Sequence, residues 1–385
     1  MNEQCGEGPA GVLREAALVI QGQSVAWVGP ASAAPDADAR VDVEGRAVLP
    51  GWVDSHTHLL FDGDRSAEFE ARMAGEAYAA GGIQVTTDAT RRASDERLLR
   101  LLRERATAAL RGGTTCLETK TGYGLTVADE ARAARVAASA VDSVPGAIDE
   151  VTFLGAHLVP AEYRERPEQY VDLVCGPMLE AVRPYVRHID VFCEDGAFTP
   201  EQSRRVLDAG RAAGLFLHVH GNQLGESGGV QLAVQLGAAS VDHVNHLDDA
   251  DIEALAAGPT VATILPACDI STRAPFAPAR RLLDAGATVA IASNCNPGTS
   301  YTSDMNLCVA TAVLQQHLSL AEALTAATRG GARALGRTDV GHLGVGARAD
   351  LHVLDAPRAI HLAYRPGMPL THAVWRAGTL AHRAA

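Results

Sequence analysis

Val48-Leu49-Pro50-Gly51-Trp52-Val53-Asp54-Ser55-His56-Thr57-His58-Leu59-Leu60-Phe61 is the stretch on which the reading of this chain turns. Its first six residues are an apolar run interrupted by Pro50-Gly51, and the pattern predicts a short strand over Val48–Val53. A strand places residues i and i+2 on one face, so His56 and His58 project together from its end. Two imidazole nitrogens on one side can grip one divalent cation, with Zn²⁺ the commonest fit. A pair of half-buried histidines is the competing reading, and a lone His-x-His does not separate the two.

The surrounding pattern gives the motif a fold. From residue 50 to about 335, short apolar strands alternate with long Ala/Leu/Arg helices. Asp95–Arg111 is an amphipathic helix closed by Gly112-Gly113. Thr199-Pro200-Glu201-Gln202 is a capping box with proline at the first helical position, and Ser319-Leu320-Ala321-Glu322 is a second box, opening a helix through Leu335. Strand candidates are Thr114–Thr119, Glu150–Gly155, His188–Cys193, Leu215–His220, Ser240–His243, Val261–Leu265 and Thr288–Ala292. With the strand before His56 they make eight β/α units, which predicts an α/β fold, a (β/α)₈ barrel of the TIM type. Both chain ends read as β: Ala16–Ile20, Ala26–Val28 and Ala47–Leu49 at one end, Ala349–Leu354 and Thr371–Trp375 at the other. Residues 1–49 and 340–385 are therefore expected to form a small β-sandwich domain beside a barrel of residues 50–339.

Composition narrows the function. At 385 residues and 47% hydrophobic content the chain can bury a large core. A net charge of −13 argues against nucleic acid as a partner. No apolar run approaches the roughly 20 residues that span a bilayer, so no membrane is expected, and the cytoplasm is the default. The seven cysteines are scattered without a CxxC pair and read as small buried apolar residues rather than disulfides. Among 33 basic residues only Lys120 is a lysine, a bias that a GC-rich genome explains. Its neighbours Glu118, Thr119, Thr121, Gly122, Tyr123 and Gly124 still invite inspection.

Catalytic groups of such barrels gather at the C-terminal ends of the strands. Those ends carry His56 and His58, then His157, then His218 and His220, then His243, and finally Ser293-Asn294-Cys295-Asn296. Six of the chain's 14 histidines at strand ends is hard to produce by chance. The other eight are assigned to surface or packing roles.

Several segments also match a known family. They are the run Pro50–Phe61 with Gly63-Asp64-Arg65, then Lys120-Thr121-Gly122-Tyr123-Gly124-Leu125, Thr152-Phe153-Leu154-Gly155-Ala156-His157, Asp190-Val191-Phe192-Cys193-Glu194, Asp242-His243 and Asn296-Pro297-Gly298. On these the chain resembles the imidazolonepropionases of the amidohydrolase superfamily. The resemblance implies one divalent metal, Zn or Fe, on His56, His58 and His220, with position 294 as a further ligand. It implies that His243 is catalytic near the scissile bond and that Gln223 bonds the substrate ring. Arg65, Tyr123, His157, Asn296, Gly298 and Thr299 would surround the propionate and the imidazolone. Lys120 would lie beside that pocket, either as a partner for Glu118 or in a role of its own. The implied partners are a small-molecule substrate and a second copy, as a homodimer. The implied activity is hydrolysis of 4-imidazolone-5-propanoate to N-formimino-L-glutamate, a step of histidine degradation.

The chemistry of the residues agrees. A cyclic amide needs a strong nucleophile, which a divalent ion generates from water at neutral pH. An acidic protein needs a local cation for a carboxylate substrate, and Arg65 can fork onto one.

One position departs. The family pattern is Ser/Thr-Asp-x-Asn-Pro-Gly, whereas this chain has Ser293-Asn294-Cys295-Asn296-Pro297-Gly298. An amide carries no charge and takes no proton at neutral pH. Three expectations follow: reduced hydrolysis with His243 as base, hydrolysis of a related hydantoin- or thiohydantoin-propionate, or binding of such acids without turnover.

Overall fold

The computed structural model describes residues 11–75, 82–141 and 148–384. Two strands at the amino end, β1 (Ala16–Gln21) and β2 (Ser24–Pro30), pair antiparallel. β3 (Val48–Pro50) follows, and then eight strands run side by side in chain order. They are β4 (Trp52–Asp54), β5 (Thr114–Lys120), β6 (Glu150–Ala156), β7 (His188–Cys193), β8 (Phe216–Gly221), β9 (Ser240–His243), β10 (Val261–Ile264) and β11 (Val289–Ile291). All seven neighbouring pairs are parallel. β5, β6 and β7 are buried along their whole length, which is why parallel strands covered on both faces read as continuous apolar runs.

The barrel closes between β4 and β11 by a short seam. Thr57 forms a parallel bridge with Cys295. His58 N donates to Cys295 O (2.9 Å) and Asn294 N to His56 O (3.0 Å). Buried Asp54 adds two acceptors, taking Ser293 N at 3.0 Å and Ser293 Oγ at 2.6 Å. The helix opened by the Ser319 capping box covers this seam and passes through a π-helical turn, Ala326–Gly330. There Gly330 and Gly331 lie so close to β11 and β4 that an added Cβ would sit 2.3 Å from Val289 O and from Val53 O.

β12 (Leu351–Leu354), β13 (Thr371–Arg376) and β14 (Thr379–Arg383) join β3 in a four-stranded sheet ordered β14-β13-β12-β3. Val25, Leu343, Ala349 and Leu351 are buried in one cluster, with Leu18, Ile20, Val48 and Trp375 packed on it. Side chains of both antiparallel sheets thus share one small core. Arg348 and Arg376 fasten this layer to the barrel, both reaching Thr115 O and Asp149 Oδ1.

The structure corrects the expected strand over Val48–Val53. The run is two strands in two sheets: β3 pairs antiparallel with β12, while β4 pairs parallel with β5. Gly51 is the crossing point. Its N–H donates to Asp350 O, and a Cβ on it would lie 2.1 Å from Thr115 Oγ1. β14 lies beyond the elements expected from the sequence. The six described cysteines are all free and five are buried. No described helix is long and apolar enough to cross a membrane.

Candidate active site

At the C-terminal mouth of the barrel one pocket is lined by His58, Arg65, Ile83, Tyr123, His157, Leu158, Phe192, His220, Gln223, His243, Asn294, Asn296 and Thr299. The backbone leaving β4 stays extended through the seam, which brings His56 and His58 to the same centre as His220 from β8. His58 Nε2 lies 3.3 Å from His56 Nε2 and 3.3 Å from His220 Nε2. A tetrahedral ion with imidazole nitrogens at about 2.0–2.1 Å has an edge of about 3.3–3.4 Å. Two of the three far nitrogens are committed: His56 Nδ1 meets Asp242 Oδ2 at 2.7 Å and His220 Nδ1 meets Asp190 Oδ1 at 3.0 Å. Each carboxylate holds the ring proton on Nδ1 and leaves the Nε2 lone pair for the centre. Burial, reinforced by neighbouring cationic groups, pushes His56 and His58 well below the usual histidine range, so both offer neutral nitrogens at pH 7. The three residues fit one divalent ion.

Beneath them lies Lys120, fully buried at the end of β5. Its Nζ stands 3.0 Å from both Glu118 Oε1 and Asp190 Oδ2. Burial alone would raise Asp190, but His220 and Lys120 outweigh it and hold the carboxyl well below its ordinary value. Glu118 also accepts from Thr57 N (2.9 Å), between the two ligands. Lys120 is thus the counter-charge that keeps Asp190 ionised without water, whereas at Glu118 burial outweighs it and pushes the carboxyl up to about 7.

Two further buried acids shape the loops. Glu130 accepts from Gly122 N, Gly124 N and Leu125 N, folding the loop that aims Tyr123 into the pocket. Gly122 needs its φ of +109°, and a Cβ there would come within 2.7 Å of Leu154 O. Its carbonyl accepts from His157 Nδ1 at 2.9 Å, so His157 keeps Nε2 as an acceptor. Burial pushes His157 down to about 3 and keeps it neutral. Glu194 does for the other wall what Glu130 does here, taking Gln223 N and Leu224 N.

Arg65 is 7% exposed and pairs side-on with Glu68, Nε to Oε2 at 2.8 Å and Nη2 to Oε1 at 2.7 Å. Its Nη1 lies against Gly298, where a Cβ would sit 2.3 Å from it. Arg72 donates through Nη1 and Nη2 to Gly298 O, both at 3.0 Å. The Asn-Pro-Gly turn is held from within. Asn296 Oδ1 accepts from Gly298 N and Thr299 N, and Asn296 Nδ2 donates to Asn294 O and Thr299 Oγ1.

His243 ends β9 with φ +83°, and Val244 follows at φ +51°. Left-handed backbone at a β-branched residue is strained and persists where surrounding structure holds it. His243 lies with ring centroids 5.7 Å from His56 and 5.4 Å from His220. Burial keeps it neutral, and its Nδ1 has no hydrogen-bond partner among the described residues.

Of the six strand-end histidines, four line the pocket, and His56 lies just beneath it with its Nε2 on the same centre. His218 does not: it sits one layer deeper, bonded to His188 and Ser240. His188, one of the eight assigned to surface or packing roles, belongs to that buried pair. Sequence reasoning also passed over Glu68, Arg72, Glu130 and Ser240. The Glu118–Lys120 pairing, the family segment containing Asp190 and Glu194, and the Asp242-His243 pair were what pointed toward the buried acids.

The amidohydrolase family model matches residues 47–381. An imidazolonepropionase from Micrococcus luteus is 67% identical over 381 residues, covering 95% of this chain and 94% of the relative. One from Saccharopolyspora erythraea is 62% identical over 372 residues, covering 96% and 94%. The chain belongs to the amidohydrolase family, among its imidazolonepropionases. Within solved structures, a 5-methylcytosine deaminase from Klebsiella pneumoniae superposes with a TM-score of 0.77 at 17% identity, covering 96% of this chain and 95% of the other. A zinc complex of an atrazine chlorohydrolase from Arthrobacter aurescens TC1 gives 0.71 at 20% identity, covering 96% and 90%. At such identities these two show the shared fold.

For a member of this family Asn294 is the unusual feature. It lies in the seam with φ +52°, a conformation Asn and Asp tolerate. Its Oδ1 accepts from Asn296 Nδ2 at 3.1 Å, and the residue faces the pocket beside the three histidines.

Proposed function

We propose that this chain opens the cyclic amide of 4-imidazolone-5-propanoate to N-formimino-L-glutamate, using one divalent ion, Zn or Fe, on His56, His58 and His220. The observation that carries the reading is one pocket with His58 and His220 on one wall, converging with His56 on a single centre, and a buried arginine on another. A divalent ion at such a centre supplies hydroxide at neutral pH and polarises the carbonyl.

The chain's own groups do the rest. Arg65 has its Nε/Nη2 edge on Glu68, so the substrate carboxylate meets the Nη1/Nη2 edge, an end-on geometry rather than the side-on fork. Gly298 provides the clearance beside Nη1, while Tyr123 and Thr299 complete the carboxylate end. His157 presents Nε2 as an acceptor for a ring N–H, and Gln223 offers an amide to the ring from the opposite side. Asn296 holds the turn, since its own amide is spent within it. His243, neutral and beside the ligands, takes the proton that an aspartate at 294 would take. Asn294 itself contributes a dipole and no charge, which favours a slowed hydrolase.

Purified protein with measured metal content, given imidazolone propionate and followed by mass spectrometry, tests the reading. Formation of N-formimino-glutamate supports it. Tight binding without product would establish a binder, and product only from hydantoin or thiohydantoin relatives would move the substrate.

A further inference from the structure

We infer that Ser240, His218 and His188 are positioning residues for His56, acting through Asp242 along a hydrogen-bond chain of fixed direction. The inference rests on reading His56 as a metal ligand. The chain has four hydrogen bonds, all inside the barrel. His56 Nδ1 lies 2.7 Å from Asp242 Oδ2, and Ser240 Oγ lies 2.7 Å from Asp242 Oδ1. His218 Nδ1 is 2.8 Å from Ser240 Oγ, and His188 Nδ1 is 2.9 Å from His218 Nε2. The chain ends at His188, whose Nε2 lies 3.4 Å from Glu150 Oε2 near the opposite end of the barrel without a hydrogen bond between them. His56, Ser240, Asp242, His218 and His188 are each at most 1% exposed.

One carboxylate fixes every step. Ionised Asp242 has only acceptors, so both neighbours must donate to it: His56 through Nδ1–H and Ser240 through Oγ–H. A hydroxyl has one proton. With that proton on Asp242, the Ser240 oxygen must accept, and His218 must carry its proton on Nδ1. His218 Nε2 is then a bare lone pair, and His188 must likewise be protonated on Nδ1. The same logic leaves the His56 Nε2 lone pair pointing at the metal centre. Without the Ser240 proton, Asp242 keeps one oxygen unsatisfied in a dry core and is free to rotate. His56 then loses its fixed ring orientation. Partners behind a ligand of this kind are worth about 10–100-fold in metal affinity.

Two measurements test this. Long-range ¹H–¹⁵N correlation on the wild-type protein reads the ring tautomers directly, with His218 and His188 assigned by signal loss in His218→Gln and His188→Gln. Both rings should carry the proton on Nδ1; an Nε2–H tautomer at His218 overturns the chain. This arm needs neither metal nor turnover, so it fails separately from the hydrolase reading. In chelator competition, Ser240→Ala should bind Zn²⁺ about 10-fold more weakly or worse, and its Co²⁺ form should show a shifted visible spectrum. Ser240→Thr keeps the hydroxyl and should restore both. Unchanged affinity and spectrum in folded Ser240→Ala, or no restoration by threonine, overturns the positioning role. If Ser240→Ala does not fold, the tautomer measurement decides.

Discussion

The two walls of the pocket are built differently. His56, His58 and His220 stand at strand ends, and the far nitrogens of His56 and His220, with Thr57 N between the first two, are tied to acids in the barrel core. Arg65, Gly298 and Thr299 sit on loops above, tied to one another and to Arg72 and Glu68. On the proposed function, the first wall sets reactivity through groups held in the barrel core, and the second sets recognition through contacts that a different loop could replace. Such a division lets one barrel host many substrates. The walls meet at Asn294, which belongs to the seam and faces the ligands.

Substitutions that touch one wall and spare the other probe that division. The largest effect is expected at His58, where His58→Ala should take metal content to near background and remove activity. A full equivalent of metal by elemental analysis would break the assignment of the ligand wall. At the junction, Asn294→Asp adds a charge beside the ion and a group able to take a proton. It should raise kcat on imidazolone propionate by about 10²–10⁴-fold and tighten metal binding. Equal kcat in both proteins, with one shared ionisation below the usual histidine range, would leave the base role with His243.

On the recognition wall, Arg65→Ala removes a buried charge from its carboxylate partner. It should raise KM by a factor matching about 2–5 kcal/mol while metal content stays intact. Lost metal would mean that the walls are not separable. The smallest effect belongs to Gly298→Ala. Its methyl would sit 2.3 Å from Arg65 Nη1, so the guanidinium must shift. Overpacking of this kind costs about 1–3 kcal/mol, here expected in KM rather than in kcat. A change confined to kcat would show that the guanidinium also orients the reacting bond.

The sequence yielded the barrel because its strands are short buried runs between capped helices. Ser94, Thr199 and Ser319 each accept the backbone N–H three residues on, as their spacing implies. It misread Val48–Val53 because hydrophobicity does not say which sheet a residue joins. Only Gly51, squeezed against Thr115, marks the change. The lining of the pocket was readable through histidines at strand ends and through the family segments. What lay beneath was not. Glu130 reaches back to Gly122, and Ser240 links His218 to Asp242, through contacts between neighbouring loops and strands that no local pattern encodes. His218 and His220 show this most plainly: two residues apart on one strand face, they serve different layers of the barrel.

The closing seam bears on how the chain reaches its native state. Asp54 and Ser293, whose contact helps seal the barrel, are 239 residues apart in the chain. Contacts of such separation carry a high loop-closure entropy until the intervening units are in place. The first strand must therefore wait, its partner on one side missing, until the last strand is ordered. His56 and His58 flank the residue that makes the final bridge. Their meeting with His220 is then a late event in folding, and the catalytic centre comes into being only when the circle of strands is complete.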